Sequence, residues 1–271
     1  MKNDNLFYYH NNKLNYTYSK LIDDLNSAIF TSPVIKTKNY YEIFYNILLS
    51  LIYDTSIVLL DYDFSDRELK YLGLNNHDLK RKEKIIKQKI ITNKSNLIDA
   101  ISNSNAWQIT LYTSGITGKP KKITHSFETI TRSVKVSKYR RNDIWGFAYN
   151  PTHIAGLQVL FQGILNLNLI VNLFDRDRKN VFLMIEKFSI TNISTTPTFY
   201  RMLLPIKKTY PMVKKLTFGG EKFDRNLAKT INQFFPEASI LNIYASTEAG
   251  TIFSSKDDYF EVRKGFKVFK Y

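Results

Sequence analysis

The 271-residue sequence contains no cysteine, which excludes disulfides, thiolate nucleophiles and cysteine-ligated metals together. That composition is compatible with a cytoplasmic protein. No continuous apolar segment follows the opening "MKNDNLFYYHNNK", so a secretory signal is not expected. A long unbroken hydrophobic run is missing as well. The most apolar stretch, "GLQVLFQGILNLNLIVNLF", is interrupted by Gln158, Gln162, Asn166, Asn168 and Asn172, and does not read as a membrane span. Acidic residues are in deficit, 24 against 39 Lys and Arg, for a net charge of +15. Such a field draws polyanions, whether nucleotide, nucleic acid or anionic membrane, without choosing among them. Repeats, low-complexity tracts and Gly/Ser linkers are absent.

What is present is a packed protein. Hydrophobic residues make up 44% and aromatics 14%, too apolar for disorder, and the length suits one large domain or two modest ones. Leu21, Ile22, Leu25, Ala28 and Ile29 follow helical spacing behind a capping Thr17, and "YYEIFYNILLSLIY" reads as a second helix. "SIVLLD" reads as a buried strand, and Ser65 with Glu68 as a capping box before a short helix that Gly73 ends. The basic run "LKRKEKIIKQKIITNK" reads as a solvated helix face or a linker. Beyond it, strands at "AWQITLY", "DIWGFAY", "LIVNLF", "NISTT", "VKKLTF" and "SILNIY" alternate with helices. Those helices are Ser126 to Lys138, Gly156 to Leu165, "KNVFLMIEKF", Pro197 to Leu204 and an Asp224-capped segment through Phe235. This alternation predicts an α/β fold, a doubly wound and largely parallel sheet. "YFEVRKGFKVFKY" predicts a short β-hairpin about Lys264-Gly265. We expect a first α/β lobe and linker over 1–105 and a second α/β lobe over 106–271.

Three polar loops follow predicted strands: "TSGITG", "GGE" at 219–221 and "ASTEAG" at 245–250. In one parallel sheet they emerge together at the carboxyl edge, where doubly wound folds bind ligands. Glycines let the backbone approach a ligand, and Thr113, Ser114 and Thr117 add neutral donors for phosphate oxygens. Lys121 supplies a full charge, and Pro120 stiffens the exit. Glu248 beside Thr247 could hold magnesium, and Tyr244 offers a flat face to a base. This is a triphosphate site in outline. It is not a Walker A loop, because Thr113 stands where that motif needs its first glycine and Pro120 where it needs Ser or Thr.

These residues resemble the adenylate-forming enzymes, the superfamily of acyl- and aryl-CoA ligases, carrier-protein adenylation domains and luciferases. "YTSGITGKPKK" resembles the family's Tyr-Thr-Ser-Gly-Thr-Thr-Gly-x-Pro-Lys-Gly signature, "FGGEKF" its Gly-Gly-Glu segment, and "NIYASTEAG" its Asn-x-Tyr-Gly-x-Thr-Glu segment. "NPTHIAGL" is similar to the stretch that places a histidine beside the acyl pocket. The resemblance implies that Thr113, Ser114, Gly115, Thr117, Gly118 and Lys121 contact the β- and γ-phosphates of ATP. It implies that Gly219, Gly220, Glu221, Asn242 and Tyr244, with Ala245 next in the segment, frame the adenine. Thr247 is then near the α-phosphate, Glu248 binds magnesium and His153 lines the carboxylate's channel, with Lys121, Thr247 and Glu248 as catalytic residues.

The implied activity is ATP-dependent formation of an acyl-adenylate, followed by transfer to coenzyme A or a phosphopantetheinyl carrier protein. Ile116, Lys122 and Ala245 depart from the family pattern. The ribose-binding Asp, the hinge and the C-terminal lid domain with its lysine are expected beyond Tyr271, so the chain reads as the N-terminal portion. A non-catalytic module binding nucleotide or acyl-adenylate is the alternative. Nucleic acid is not the expected partner, since the aromatics lack an interleaved basic motif.

Overall fold

The computed structural model of the chain describes residues 5–113, 120–246, 250–256 and 259–262. Packing divides the chain into two compact units, one of residues 1–15, 133–150 and 155–271, the other of 16–132 and 151–154. They differ from the lobes drawn at 105/106. The strand at Leu6–Tyr9 belongs to the first unit, and the strands at Gln108–Thr113 and Lys121–Ser126 pair with earlier strands in the second.

In chain order the strands are β1 (Leu6–Tyr9), β2 (Asn15–Thr17), β3 (Phe30–Thr31), β4 (Val34–Lys36), β5 (Ile57–Leu60), β6 (Glu83–Lys84), β7 (Gln108–Thr113) and β8 (Lys121–Ser126). They continue as β9 (Ile144–Phe147), β10 (Leu169–Asn172), β11 (Asn192–Thr195), β12 (Lys215–Gly219), β13 (Ser239–Ser246), β14 (Gly250–Lys256) and β15 (Tyr259–Val262). The first unit is built on a nine-stranded sheet in the order β15-β14-β13-β12-β11-β9-β10-β1-β2, all of it within that unit except the last two residues of β2. From β13 to β1 all neighbours are parallel. β14 and β15 extend the edge in antiparallel fashion.

Register sorts the side chains of this sheet. Ile193, Leu216 and Phe218 lie on one face with Leu169 and Val171, and join a core with Val181, Ile185 and Phe188 of the helix Arg178–Phe188, Tyr200 of Pro197–Met202 and Ile231 of Arg225–Asn232. On the opposite face the register aligns Trp145, Asn192 and Lys215 in one row, and Phe147, Ser194 and Thr217 in the next. Strands alternate their side chains, so one face is apolar and the other carries most of the polar groups. The helix Ile154–Ile164 lies against the polar face through Ala155, Gln158, Val159 and Gln162, the i, i+3, i+4, i+7 stripe of a helix. Helices on both faces make the sheet doubly wound, as expected.

The second unit holds a four-stranded sheet, β4-β5-β7-β8, parallel except for β8, which returns antiparallel to β7. The helices Tyr18–Asn26 and Tyr40–Ile52 are capped by Thr17 and Asn39, and Ser65 and Glu68 form both bonds of their capping box. Gly73 takes the left-handed φ of +71° that ends that helix.

Three expectations change. The helix from Ser126 stops after Phe127–Thr131 instead of running to Lys138, because Thr129, Ile130 and Thr131 are β-branched and Ser133, Val134 and Val136 continue poor helix formers. The run 79–94 is largely exposed and carries the end of the helix Asn76–Lys80, the short β6 and the first residue of the helix Lys94–Ser102; it lies within the second unit and no continuous helix face forms along it. At the end of the chain β15 pairs with β14, and the Lys264-Gly265 turn lies outside the described residues. Among the described residues no helix is long and apolar enough to cross a membrane.

Candidate active site

Strand order reverses direction at β9 and β11. From β9 the chain passes to β10 on one side, then returns to β11 on the other. In open α/β sheets such a switch point leaves a crevice at the carboxyl ends of the strands. Here it opens into a groove between the polar sheet face and the Ile154–Ile164 helix, a cavity of about 110 Å³. Tyr149, Ser194, Thr217, Gly219 and Gly220 lie toward the carboxyl ends, and Trp145 and Lys215 toward the amino ends.

Gly219 and Gly220 each have a specific reason to be glycine. A Cβ on Gly219 would sit 3.2 Å from Tyr149 Oη, inside the mouth of the groove. Gly220 has φ +80°, which costs a residue with a Cβ roughly 1–2 kcal/mol. Burial pushes the Tyr149 phenol up, and nearby Glu221 pushes it the same way against a bond with Ser194. Tyr149 therefore stays a neutral hydroxyl.

The third residue of this loop is fixed by the neighbouring helix. Pro197 opens that helix and Thr196 caps it, leaving the Thr198 N–H facing outward. Thr198 donates that N–H to Glu221 Oε2 at 3.0 Å and its hydroxyl at 2.7 Å. Burial raises the Glu221 carboxyl, but the Thr198 and Thr196 bonds and the Arg201 charge outweigh it and hold it below its usual range. A carboxyl lowered on folding contributes stability that is present above its unfolded value of about 4.3 and lost as pH falls through the folded value. Glu221→Gln is therefore expected to flatten the decline of the urea midpoint below about pH 4.3. An unchanged acid limb would show that this carboxylate is not coupled to folding.

Asn242 is buried in the middle of β13, level with Phe218 near the carboxyl end of β12. The β13-β14 register shifts between Tyr244 and Ala245, a bulge that bends the strand at the segment expected to frame a base. Lys121 is exposed and begins β8, paired with Thr113. Ser114, Gly115, Thr117, Gly118, Thr247 and Glu248 lie outside the described residues. The expectation that all three loops leave a single parallel sheet is corrected. The 114–120 loop joins the antiparallel β7 and β8 of the four-stranded sheet, whereas the other two leave the nine-stranded sheet. The causes are the pairing of β7 with β5, which places it in the smaller sheet, and the strand β8, whose buried Ile123 and His125 alternate with exposed neighbours.

His153 belongs to the second unit, with its side chain 55% exposed and Nε2 3.2 Å from Asp61 Oδ2. Thr152 donates its hydroxyl to Asp61 Oδ1. Sequence reading missed Asp61, although its place directly after the "SIVLLD" strand core was a signal. It missed Trp145 as a groove residue too.

The family model of the AMP-binding enzyme matches residues 57–266. The 2-succinylbenzoate–CoA ligase of Arabidopsis thaliana is 28% identical over 167 residues, 58% of this chain and 30% of that protein. The D-alanine–D-alanyl carrier protein ligase of Lactococcus lactis subsp. lactis (strain IL1403) is 27% identical over 183 residues, 61% of this chain and 36% of that protein. The chain thus spans about a third of the length of these curated relatives. Among solved structures, o-succinylbenzoate coenzyme A synthetase from Bacillus subtilis, in complex with ATP and magnesium ion, superposes with a TM-score of 0.70 at 17% identity, covering 94% of this chain and 60% of that one. This likeness concerns the fold.

Proposed function

Because this chain belongs to the AMP-binding enzyme family, we propose that it serves ATP-dependent activation of a carboxylic acid as an acyl-adenylate. The thiol of coenzyme A or of a phosphopantetheinyl carrier protein then takes the acyl group as a thioester, and AMP leaves. The observation that carries this reading is the polar groove at the switch point of the sheet, ending at Gly219 and Gly220. Relatives named for both kinds of acceptor support it. A cytoplasmic setting accords with the cysteine-free composition.

In this reading a carboxylate oxygen attacks the α-phosphorus, the bond to the β-phosphate breaks, and pyrophosphate leaves. No protein base is required, because the attacking carboxylate is already ionised. Positioning and charge neutralisation are the main demands. Thr113, Ser114, Gly115, Thr117, Gly118 and Lys121 would hold the β- and γ-phosphates, and Gly219, Gly220, Glu221, Asn242, Tyr244 and Ala245 the adenine. The bare backbone at Gly219, where a Cβ would crowd Tyr149 Oη, fits close approach of a ligand. Thr247 and Glu248 offer the sparse oxygen set that suits magnesium, which takes its other ligands from phosphate and water and offsets the phosphate charge. His153, held by Asp61, would line the acid's path.

The test is ATP-dependent pyrophosphate exchange across a panel of acids, alongside equilibrium binding of ATP. Exchange with at least one acid is expected from the full-length protein, and little or none from residues 1–271 alone. ATP binding with silence from every acid would replace this reading with that of a nucleotide-binding module.

A further inference from the structure

The inner end of the groove carries chemistry that activation of a simple acid does not use. Trp145 is 4% exposed and lines the cavity, and its Nε1–H has no hydrogen-bond partner among the described residues. A buried indole N–H normally finds an acceptor, and leaving one unpaired costs about 1–3 kcal/mol. In the same row of the sheet face, two strands away through Asn192, stands Lys215. Arg140 and Lys135 line the same cavity. Asp143 lies 3.9 Å from Arg140 and also feels the Lys215 charge. Among the described residues that line the cavity three are cationic and none is acidic, and the Trp145 Nε1–H is an unpaired donor in its wall.

Resting on the adenylating reading, we propose that the acid taken here is compact and carries a second anionic group, seated at the inner end by Trp145 Nε1–H, Arg140 and Lys215. The first carboxylate would then face the Gly219–Gly220 end. Lys215 and Gly219 are four residues apart on β12, roughly 13 Å at about 3.3 Å per residue, and the reach of the lysine side chain shortens the gap. A cavity of about 110 Å³ is closer to the ~150 Å³ site that accepts benzene than to one for a long acyl chain. An unbranched fatty acid would leave the donors unpaired and bury charge beside hydrocarbon.

Matched acids separate the second group from bulk: isophthalate against benzoate, and adipate against hexanoate, measured by calorimetric titration with ATP binding recorded in parallel. At least one diacid is expected to bind about tenfold or more tighter than its monoacid, as a charge-assisted contact implies. Trp145→Phe keeps the ring and removes the donor, and Arg140→Gln removes a partly exposed charge. Each should bring the ratio to within about threefold while the Kd for ATP is unchanged. If Trp145→Phe lowers the melting temperature sharply, Arg140→Gln carries the comparison. Equal affinities for both pairs in the unaltered protein, or no binding by either diacid, would overturn the proposal. Diacid preference without ATP binding would retain the subsite and remove the adenylating reading, so the two failures are distinct.

Discussion

Trp107→Ala is expected to destabilise the second packing unit by about 3–5 kcal/mol, the range for emptying a buried large aromatic site. Trp107 is 1% exposed and stands immediately before β7. Its Nε1–H donates to Ser50 Oγ at 2.8 Å, and Ser50 donates in turn to the Ile47 carbonyl at 2.8 Å within the helix Tyr40–Ile52. Its ring meets Phe127 edge-on, with centroids 6.4 Å apart at 79°. One side chain thus ties a central helix, the parallel strand β7 and the short helix after β8. Removing it leaves a cavity that these three elements cannot all close, and a loss of this size is a large share of the roughly 5–15 kcal/mol that holds a typical protein folded.

Urea unfolding followed by far-UV circular dichroism measures the effect. Two packing units can give two transitions, and the one that shifts should belong to residues 16–132, identified by hydrogen exchange of β5 and β7. Trp107→Phe should lose much less, since Ser50 keeps its bond to Ile47 and most of the ring volume remains. A loss below about 1 kcal/mol in the alanine variant would mean that the unit is not organised around this residue. Because β7 leads directly into the 114–120 loop, ATP affinity should fall at the temperature where this unit melts.

The features legible in the sequence are those written in neighbouring residues. Thr17, the Ser65–Glu68 box, Pro197 and Asp224 stand beside the N–H groups they satisfy or leave free, so a window of five residues contains the whole interaction. The parallel strands β9 to β13 were legible because apolar runs alternate with helical stripes. Pairing between distant segments has no such local sign. Nothing in "LFYY" announces that Tyr8 pairs with Ile170, and that contact decides which packing unit the N-terminus joins. β8 was obscured by its lysines, although the alternation of Ile123 and His125 was present. The groove was half visible. The glutamines that break the apolar run, Gln158 and Gln162, fall on one helical stripe, and Ser194 and Thr217 alternate with Ile193, Leu216 and Phe218. Placing them opposite one another required the register of three strands.

Lys121→Met is expected to lower kcat/KM for ATP in the pyrophosphate-exchange assay by about 10²–10³, the cost of removing one preorganised charge-stabilising group. The prediction rests on the proposed role of the 114–120 loop and on the hairpin that bears it. Thr113 pairs with Lys121, Tyr112 with Lys122, and Leu111 with Ile123. Lys121 therefore leaves β8 on the same face as the buried Ile123 and His125, at the position nearest the loop, and Lys122 leaves on the other face. Both lysines are exposed, so exposure alone does not distinguish them.

Charge builds on the departing pyrophosphate as the α–β bond breaks, so kcat should fall more than ATP affinity. Lys121→Arg keeps the charge but exchanges a point cation for a planar fork, and should recover part of the rate. Lys122→Met is the internal control, with an effect of no more than about threefold, since a solvated surface charge contributes little. Equal losses in the two methionine variants would mean that general basicity drives the interaction with ATP, and the register argument would fail. Unchanged exchange in Lys121→Met would move the phosphate contact away from this hairpin altogether.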